Sequence, residues 1–226
     1  MFTALFSNEG QRSIDYLKGC TIMLNIGVLG SGNGSNFQAI VDAAKRGEFE
    51  GRVCCAVSDV ADAYILERAS KAGIPGRHID CGPSKSKAEG VGAEKIVEYM
   101  RGCDVDFVVL AGFMRIVKDP LLSEFSGRMI NIHPSLLPAF PGLASWKQAL
   151  EYGVKVAGCT VHYVDAGMDT GPIVLQRCIP VIDDDTPESL HARIQKAEHV
   201  AYPEALNLIS SGRVEVAGRK VRIVKD

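Results

Sequence analysis

From Leu24 onward, short runs rich in β-branched residues alternate with stretches whose apolar positions recur every three or four residues. The first pattern is that of a strand and the second that of an amphipathic helix. On this reading Leu24 to Leu29 is a strand, Asn36 to Arg46 a helix, Arg52 to Ser58 a strand and Ala61 to Ala72 a helix. A short strand near Arg77 to Ile79, a helix over Gly92 to Arg101 and a strongly apolar strand at Asp106 to Leu110 follow. Such alternation predicts an α/β fold with a doubly wound, mostly parallel sheet and right-handed crossovers. After a further strand at Met129 to Ile132 the rhythm changes. Val156 to Val164 and Pro172 to Val181 are long and strand-like, joined by the loop Asp165 to Gly171, which predicts antiparallel pairing toward the C-terminal edge of the sheet. Thr186 is placed to cap a closing helix, with Pro187 in its first turn and Leu190, Ile194 and Ala197 leading toward Ala205 and Ile209. Residues 213–226 read as a small hairpin around Ala217-Gly218.

Composition narrows the partners. The 226 residues are 46% hydrophobic, enough to bury one substantial core, so residues 23–226 are expected to form a single domain. Lys and Arg total 25 against 27 Asp and Glu, leaving no basic field to hold a nucleic-acid backbone and making a small-molecule partner the better expectation. The seven cysteines are odd in number and lack a C-x-x-C spacing. Several lie in apolar runs, so they read as reduced core thiols of a cytoplasmic protein. No apolar run approaches the ~20 residues that cross a bilayer. Residues 1–22 carry Glu9, Arg12, Asp15 and Lys18 and are expected to be an extension outside the fold, with Met23 as an alternative start of translation.

Candidate chemistry gathers where strands end. After the first strand comes Gly30-Ser31-Gly32-Asn33-Gly34-Ser35-Asn36, then a helix. Glycines permit close backbone approach, and free N–H groups at a helix start attract an anion, so this loop is a candidate phosphate cradle. Its spacing departs from G-x-G-x-x-G, although Asp59 lies near the distance of a ribose-binding acid, and the Lys-Ser/Thr ending of a P-loop is absent. A glycine-rich turn that merely connects strand to helix is the plainer alternative. After the most apolar strand, Ala111-Gly112-Phe113-Met114-Arg115-Ile116 offers an apolar wall and one cation.

The most informative segment is Asn131-Ile-His-Pro-Ser-Leu-Leu-Pro-Ala-Phe-Pro141. Two residues apart at a strand end, Asn131 and His133 point to one side, and Pro134, Pro138 and Pro141 exclude a helix from the residues that follow. The loop Asp165 to Gly171 supplies Asp169 between two glycines. A turn acid is its commonest fate, but beside His133 its carboxylate would favour a charged imidazole. An amide, an imidazole and a carboxylate without a Ser or Cys nucleophile suit acyl transfer to an incoming amine, the protein supplying charge stabilisation and proton handling.

The motifs Ser31-Gly-Asn-Gly-Ser-Asn36, Leu110-Ala-Gly-Phe-Met-Arg115, Asn131-Ile-His-Pro-Ser-Leu-Leu-Pro138, Gly158-Cys-Thr-Val-His162 and Asp169-Thr-Gly-Pro172 occur in an order that closely resembles the phosphoribosylglycinamide formyltransferases, a folate-dependent formyltransferase family. The likeness runs from about Leu24 to Arg213. It implies a Rossmann-like formyltransferase fold and transfer of a formyl group from 10-formyltetrahydrofolate to the amine of glycinamide ribonucleotide, a step of purine biosynthesis, without a metal. Asn131, His133 and Asp169 match the family's catalytic positions. Gly32, Asn33, Gly34, Ser35 and Asn36 match its phosphate loop, and Glu198 matches a carboxylate placed on the sugar hydroxyls. Leu110, Phe113, Met114, Arg115, Ile116, Val117, Val164 and Met168, together with Asn131 and Asp169, match positions around the folate, with Met114 also bordering the ribonucleotide. The phosphate-binding half then extends to about residue 125, with the folate-binding and catalytic half after it. A homodimer is compatible with the resemblance.

Two departures stand out. Family members usually carry a histidine shortly after Pro-Gly-Leu, where this chain has Ala144-Ser145-Trp146. Near Ser84 to Gly90 a basic residue usually approaches the phosphate, a part open here to Lys87 or Lys85. Three other readings compete: a formyltetrahydrofolate hydrolase, a formyltransferase for another amine such as that of a charged tRNA, and a non-enzymatic nucleotide-binding module. The first two normally carry a further domain, and the third leaves Asn131, His133 and Asp169 without a purpose.

Overall fold

The computed structural model describes residues 21–224 except 83 and 85. Its centre is a seven-stranded sheet of order β3-β2-β1-β5-β7-β8-β9. In chain order the elements are β1 (Leu24–Leu29), α1 (Ser35–Arg46), β2 (Gly51–Ser58), α2 (Tyr64–Lys71), β3 (Gly76–His78), β4 (Lys87–Ala88), α3 (Gly90–Gly102), β5 (Phe107–Leu110), β6 (Ile116–Val117), α4 (Leu121–Glu124), β7 (Met129–His133), α5 (Ser145–Tyr152), β8 (Val156–Tyr163), β9 (Ile173–Pro180), α6 (Pro187–Ser210), β10 (Val214–Ala217) and β11 (Lys220–Ile223). Strands β1, β2, β3, β5 and β7 run parallel, while β8 pairs antiparallel with β7 and β9 with β8.

Period-two alternation explains why helices cover both faces. In β1 and β5, Ile26, Val28, Phe107 and Val109 enter the larger core beneath α1 and α6, while Leu29, Val108 and Leu110 enter a second core with Ile96, Met100 and Leu121 from α3 and α4. The sheet therefore reads as continuous apolar runs. The chain leaves β1 toward β2 on one side and returns to β5 on the other, so the carboxyl ends of β1 and β5 form the switch point where open α/β sheets receive ligands. Strand β9, at the edge, buries only Val174, and there Cys178 faces solvent rather than the core position expected of it. Cys55, Cys81 and Cys159 are buried, Cys54 and Cys103 are half-buried, and Cys20 lies outside the described residues.

Most expected elements appear, with shifts at their ends. Helix α2 starts at Tyr64 because residues 59–63 form a turn, in which the Val60 amide donates to Ser58 Oγ at 3.1 Å. Helix α6 starts as its sequence signals, with Thr186 and Ser189 completing a reciprocal capping box. Ile22 joins the fold, its amide donating to the Ser210 carbonyl at 2.7 Å and its side chain packing on the larger core. The remainder of the expected 1–22 extension lies outside the described residues, except Thr21.

Candidate functional site

A cavity of about 370 Å³ opens at the carboxyl ends of β1, β5 and β7. Its floor at the switch point is tied together by backbone bonds, from Ala111 N to Leu29 O at 2.7 Å and from Ser31 N to Gly112 O at 3.0 Å. The glycine loop enters α1 through Gly34, whose φ of 73° is left-handed and whose added Cβ would meet Ile65 at 2.8 Å. Only glycine satisfies both conditions cheaply. Ser31 Oγ donates to Asp59 Oδ1 at 2.5 Å and accepts from Met114 N at 2.9 Å. Arg115 Nε donates to Asp59 Oδ2 at 2.6 Å, and its Nη1 reaches the Ser84 carbonyl. Asp59, considered as a ribose-binding acid, is thus consumed in fastening two loops. The Arg115 guanidinium is held in the same ion pair, so what this residue lends the cavity wall is its position rather than a free charge.

At the end of β7, Asn131 and His133 lie opposite His162 and Thr160 of β8. The proline-rich segment after His133 is fastened from below: Thr160 Oγ1 donates to Ser135 O at 2.7 Å and accepts from Leu137 N at 3.0 Å, while Gln176 Nε2 donates to Leu137 O at 2.9 Å. This places the Phe140 carbonyl 2.9 Å from His133 Nε2. On its other side His133 Nδ1 is 3.4 Å from Asp169 Oδ2. A carbonyl oxygen only accepts, so Nε2 presents an N–H to Phe140, while the Asp169 carboxylate lies within ion-pair reach of Nδ1. Asp169 sits at a φ of 56°, in the left-handed region that Asp tolerates better than most residues, and its Oδ2 also accepts from Gly142 N at 2.9 Å. The loop carrying it is closed by Asp165 Oδ1, which accepts from Gly167 N and Thr170 Oγ1.

His162 decides which way the Asn131 amide points. Its Nδ1 lies 2.8 Å from the Tyr163 carbonyl and must carry a proton to bond there. Burial lowers its pKa, a trend opposed by that carbonyl and by Asp169, so the ring is neutral and Nε2 is an acceptor. Asn131 Nδ2, 3.3 Å away, is then the donor, which leaves its second N–H for a ligand. Nothing in the local sequence distinguishes His162 from a strand residue; its only signal was its place in a recognised motif.

The facing wall lies between α1 and α6. Glu198 is 5% exposed, and its Oε2 accepts from Asn36 Nδ2 at 2.8 Å across 162 residues of sequence. It is no solvated helix acid: burial raises its pKa, with the Asn36 amide opposing. Asn36 Oδ1 is buried with no partner in the protein, an acceptor that a ligand hydroxyl would satisfy. Tyr202, one turn further along α6, donates to the Leu110 carbonyl at 2.5 Å and fixes the helix to the end of β5.

The cavity is bordered by Gly32, Asn33, Gly34, Ser35, Asn36 and Glu198 on the α1 and α6 side. Leu110, Phe113, Met114, Arg115, Ile116, Val117, Val164 and Met168 border it opposite, with Asn131, His133 and Asp169 between them. Lys87 is the exception. Ala88 is buried beneath β4, so alternation turns Lys87 to solvent and away from the lining; Lys85 lies outside the described residues. Trp146, His162, His191 and Gln195 also border the cavity; the first two were marked only by their places in the family motifs, and His191 and Gln195 carried no sign of doing so. An apolar wall that includes the half-exposed Met114 and Met168 fits a flat heterocycle such as a pteridine, and the polar α1 and α6 side fits a phosphorylated sugar. Among the described residues no cluster of His, Cys, Asp and Glu is arranged to hold a metal.

Comparison with known proteins identifies the family. The phosphoribosylglycinamide formyltransferase of Bacillus subtilis is 44% identical over 184 residues, covering 81% of this chain and 93% of its own length. The trifunctional purine biosynthetic protein adenosine-3 of Drosophila pseudoobscura pseudoobscura is 46% identical over 203 residues, covering 88% of this chain but 14% of that much longer protein. The crystal structure of glycinamide ribonucleotide transformylase 1 from Symbiobacterium toebii superposes with a TM-score of 0.85 at 51% identity, covering 90% of this chain and 95% of the other. The formyl transferase family pattern matches residues 24–206, and the chain belongs to that family.

Proposed function

We propose that the protein transfers the formyl group of 10-formyltetrahydrofolate to the glycinamide amine of 5'-phosphoribosylglycinamide, giving formylglycinamide ribonucleotide and tetrahydrofolate in purine biosynthesis. The observation that carries the reading is that Asn131, His133 and Asp169 meet at the centre of one cavity, between an apolar wall and a glycine loop at a helix start. The folate brings an electrophilic formyl carbon. The neutral amine attacks it, a C–N bond forms to the ribonucleotide, and the bond to the folate nitrogen breaks. Asn131's second N–H donates to the formyl oxygen as charge grows there, and the positive charge of a protonated His133, whose ring nitrogens face Phe140 and Asp169, stabilises that oxygen through space. Asp169 orients His133 and, through a water, relays the amine proton toward the departing nitrogen.

The phosphate is assigned to residues 32–36 at the N-terminus of α1, the sugar hydroxyls to Glu198 and Asn36, and the folate to the wall over residues 110–117, 164 and 168. Residues up to about 125 then supply the phosphate half of one functional domain, and the later residues the folate and catalytic half. The unpaired thiols Cys54, Cys55, Cys81, Cys103, Cys159 and Cys178 support a reducing compartment, the cytoplasm. A homodimer, and independence from nucleic acid, complete the proposal. The near balance of charge in the sequence favours small-molecule substrates.

The test is to mix the purified protein with 10-formyltetrahydrofolate, with and without glycinamide ribonucleotide, and follow folate product. Release that requires the ribonucleotide and vanishes in His133→Ala is the expected result; release into water alone would make the protein a hydrolase.

A further inference from the structure

The rings of Trp146, in the first turn of α5, and His191, in the second turn of α6, are stacked with centroids 3.8 Å apart and planes 3° from parallel. Both border the cavity. His191, Gln195 and Glu198 stand at i, i+4 and i+7 on α6, the spacing of one helix face, and all three border the cavity. That face meets α1 through the Glu198–Asn36 bond, so it belongs to the glycine-loop side and not to the apolar wall. Among the described residues no protein group hydrogen-bonds either nitrogen of His191, although the ring is half-buried. A stacked imidazole with a fixed plane and two unengaged nitrogens is set to meet a polar ligand group.

We infer that His191, held flat against Trp146, is a positioning residue for the phosphorylated sugar of the amine substrate. The inference rests on the formyl-transfer reading and deepens it. Burial lowers the pKa of His191, so at neutral pH its ring offers one N–H donor and one acceptor, the complement of a hydroxyl or of a phosphate oxygen and a neighbouring hydroxyl. Trp146 occupies the stretch in which this chain departs from the family pattern. Its indole supplies the surface that fixes the ring plane, while the imidazole comes from another helix.

Trp146 is the only tryptophan in the chain, so emission excited selectively at tryptophan, clear of the six tyrosines, reports on this stack alone. Glycinamide ribonucleotide titrated into the wild-type protein should change the emission saturably. His191→Phe keeps the stack and removes both nitrogens. It should weaken ribonucleotide binding and raise the ribonucleotide KM about three- to tenfold, the loss of one or two neutral hydrogen bonds. The folate KM and kcat at saturation should stay at wild-type values. His191→Gln, which keeps a donor and an acceptor, should recover part of the affinity; if His191→Phe folds poorly, the same comparison is made between His191→Gln and His191→Leu. Unchanged ribonucleotide affinity in the variant without nitrogens, or a rise in folate KM instead, overturns the inference while leaving formyl transfer intact. A wild-type protein that neither binds the ribonucleotide nor formylates it overturns the functional reading, and this inference with it.

Discussion

On the wall formed by β7, β8 and the loop to Asp169, the working groups are side chains that fix one another: His162 orients Asn131, and Asp169 with the Phe140 carbonyl brackets His133. On the facing wall a glycine loop offers backbone, and one buried carboxylate shares a single bond with one amide. On the first wall Asn131, His133 and Asp169 are each held by an internal hydrogen bond to a neighbouring group. The second leaves Asn36 Oδ1 without a partner and Glu198 with most of its accepting capacity unspent. Groups that must hold their geometry while charge develops are braced in advance, whereas groups that grip a substrate wait for the substrate to complete them.

That contrast predicts different kinetic signatures. The largest effect is expected from Asn131→Ala, which should lower kcat by ~10²–10³ while the ribonucleotide KM and the melting temperature change little. Equal losses in KM would erase the distinction between the walls. Glu198→Gln should do the reverse, raising the ribonucleotide KM by ~10- to 100-fold, the worth of hydrogen bonds to a charged group, with kcat largely kept. Steady-state kinetics on the two variants side by side decide it. Gly34→Ala should cost about 1–3 kcal/mol of stability in denaturant unfolding, from the left-handed backbone and the contact with Ile65. A variant as stable as wild type would mean that the loop rearranges freely.

The smallest effect is a dependence on pH. Because burial raises the pKa of Glu198, the folded protein keeps that proton to higher pH than the unfolded chain, whose carboxyl titrates near ~4.3. The stability tied to this group is full below the unfolded value and is lost as pH rises through the folded one. Ligand-free Glu198→Gln should therefore melt above wild type at about pH 8, with the gap narrowing toward about pH 5. A gap that widens on acidification would show that the carboxylate is stabilised in place.

Much of the scaffold was legible because its signals are local. The apolar runs of β1, β2 and β5, the change of rhythm after β7, and Thr186-Pro187 before α6 each lie within a few residues. Helix α5 was not legible: it follows a proline-rich stretch, and its N-cap is Ala144 at a φ of 53°, which carries none of the usual cap chemistry. The two-residue strands β4 and β6 are too short to show a period, and with them went the true direction of Lys87. In the site, Asn131 and His133 share a strand and could be paired by eye. Asn36 with Glu198 and Trp146 with His191 are brought together only by helix packing, which no local pattern encodes. Asp59 shows the opposite failure, since its spacing fits a ligand role that Ser31 and Arg115 have already taken.

Strands β1, β5 and β7 are immediate neighbours, so the glycine loop and Asn131 hang from strand ends two steps apart in one sheet. Each step is about 4.8 Å, which sets a span of about 10 Å between them in a part of the molecule that cannot stretch. The sheet thereby acts as a gauge. With the phosphate on the glycine loop as proposed, an amine whose reach from its phosphate matches the span would be offered to His133, and one built shorter or longer would be gripped at one end and out of range at the other.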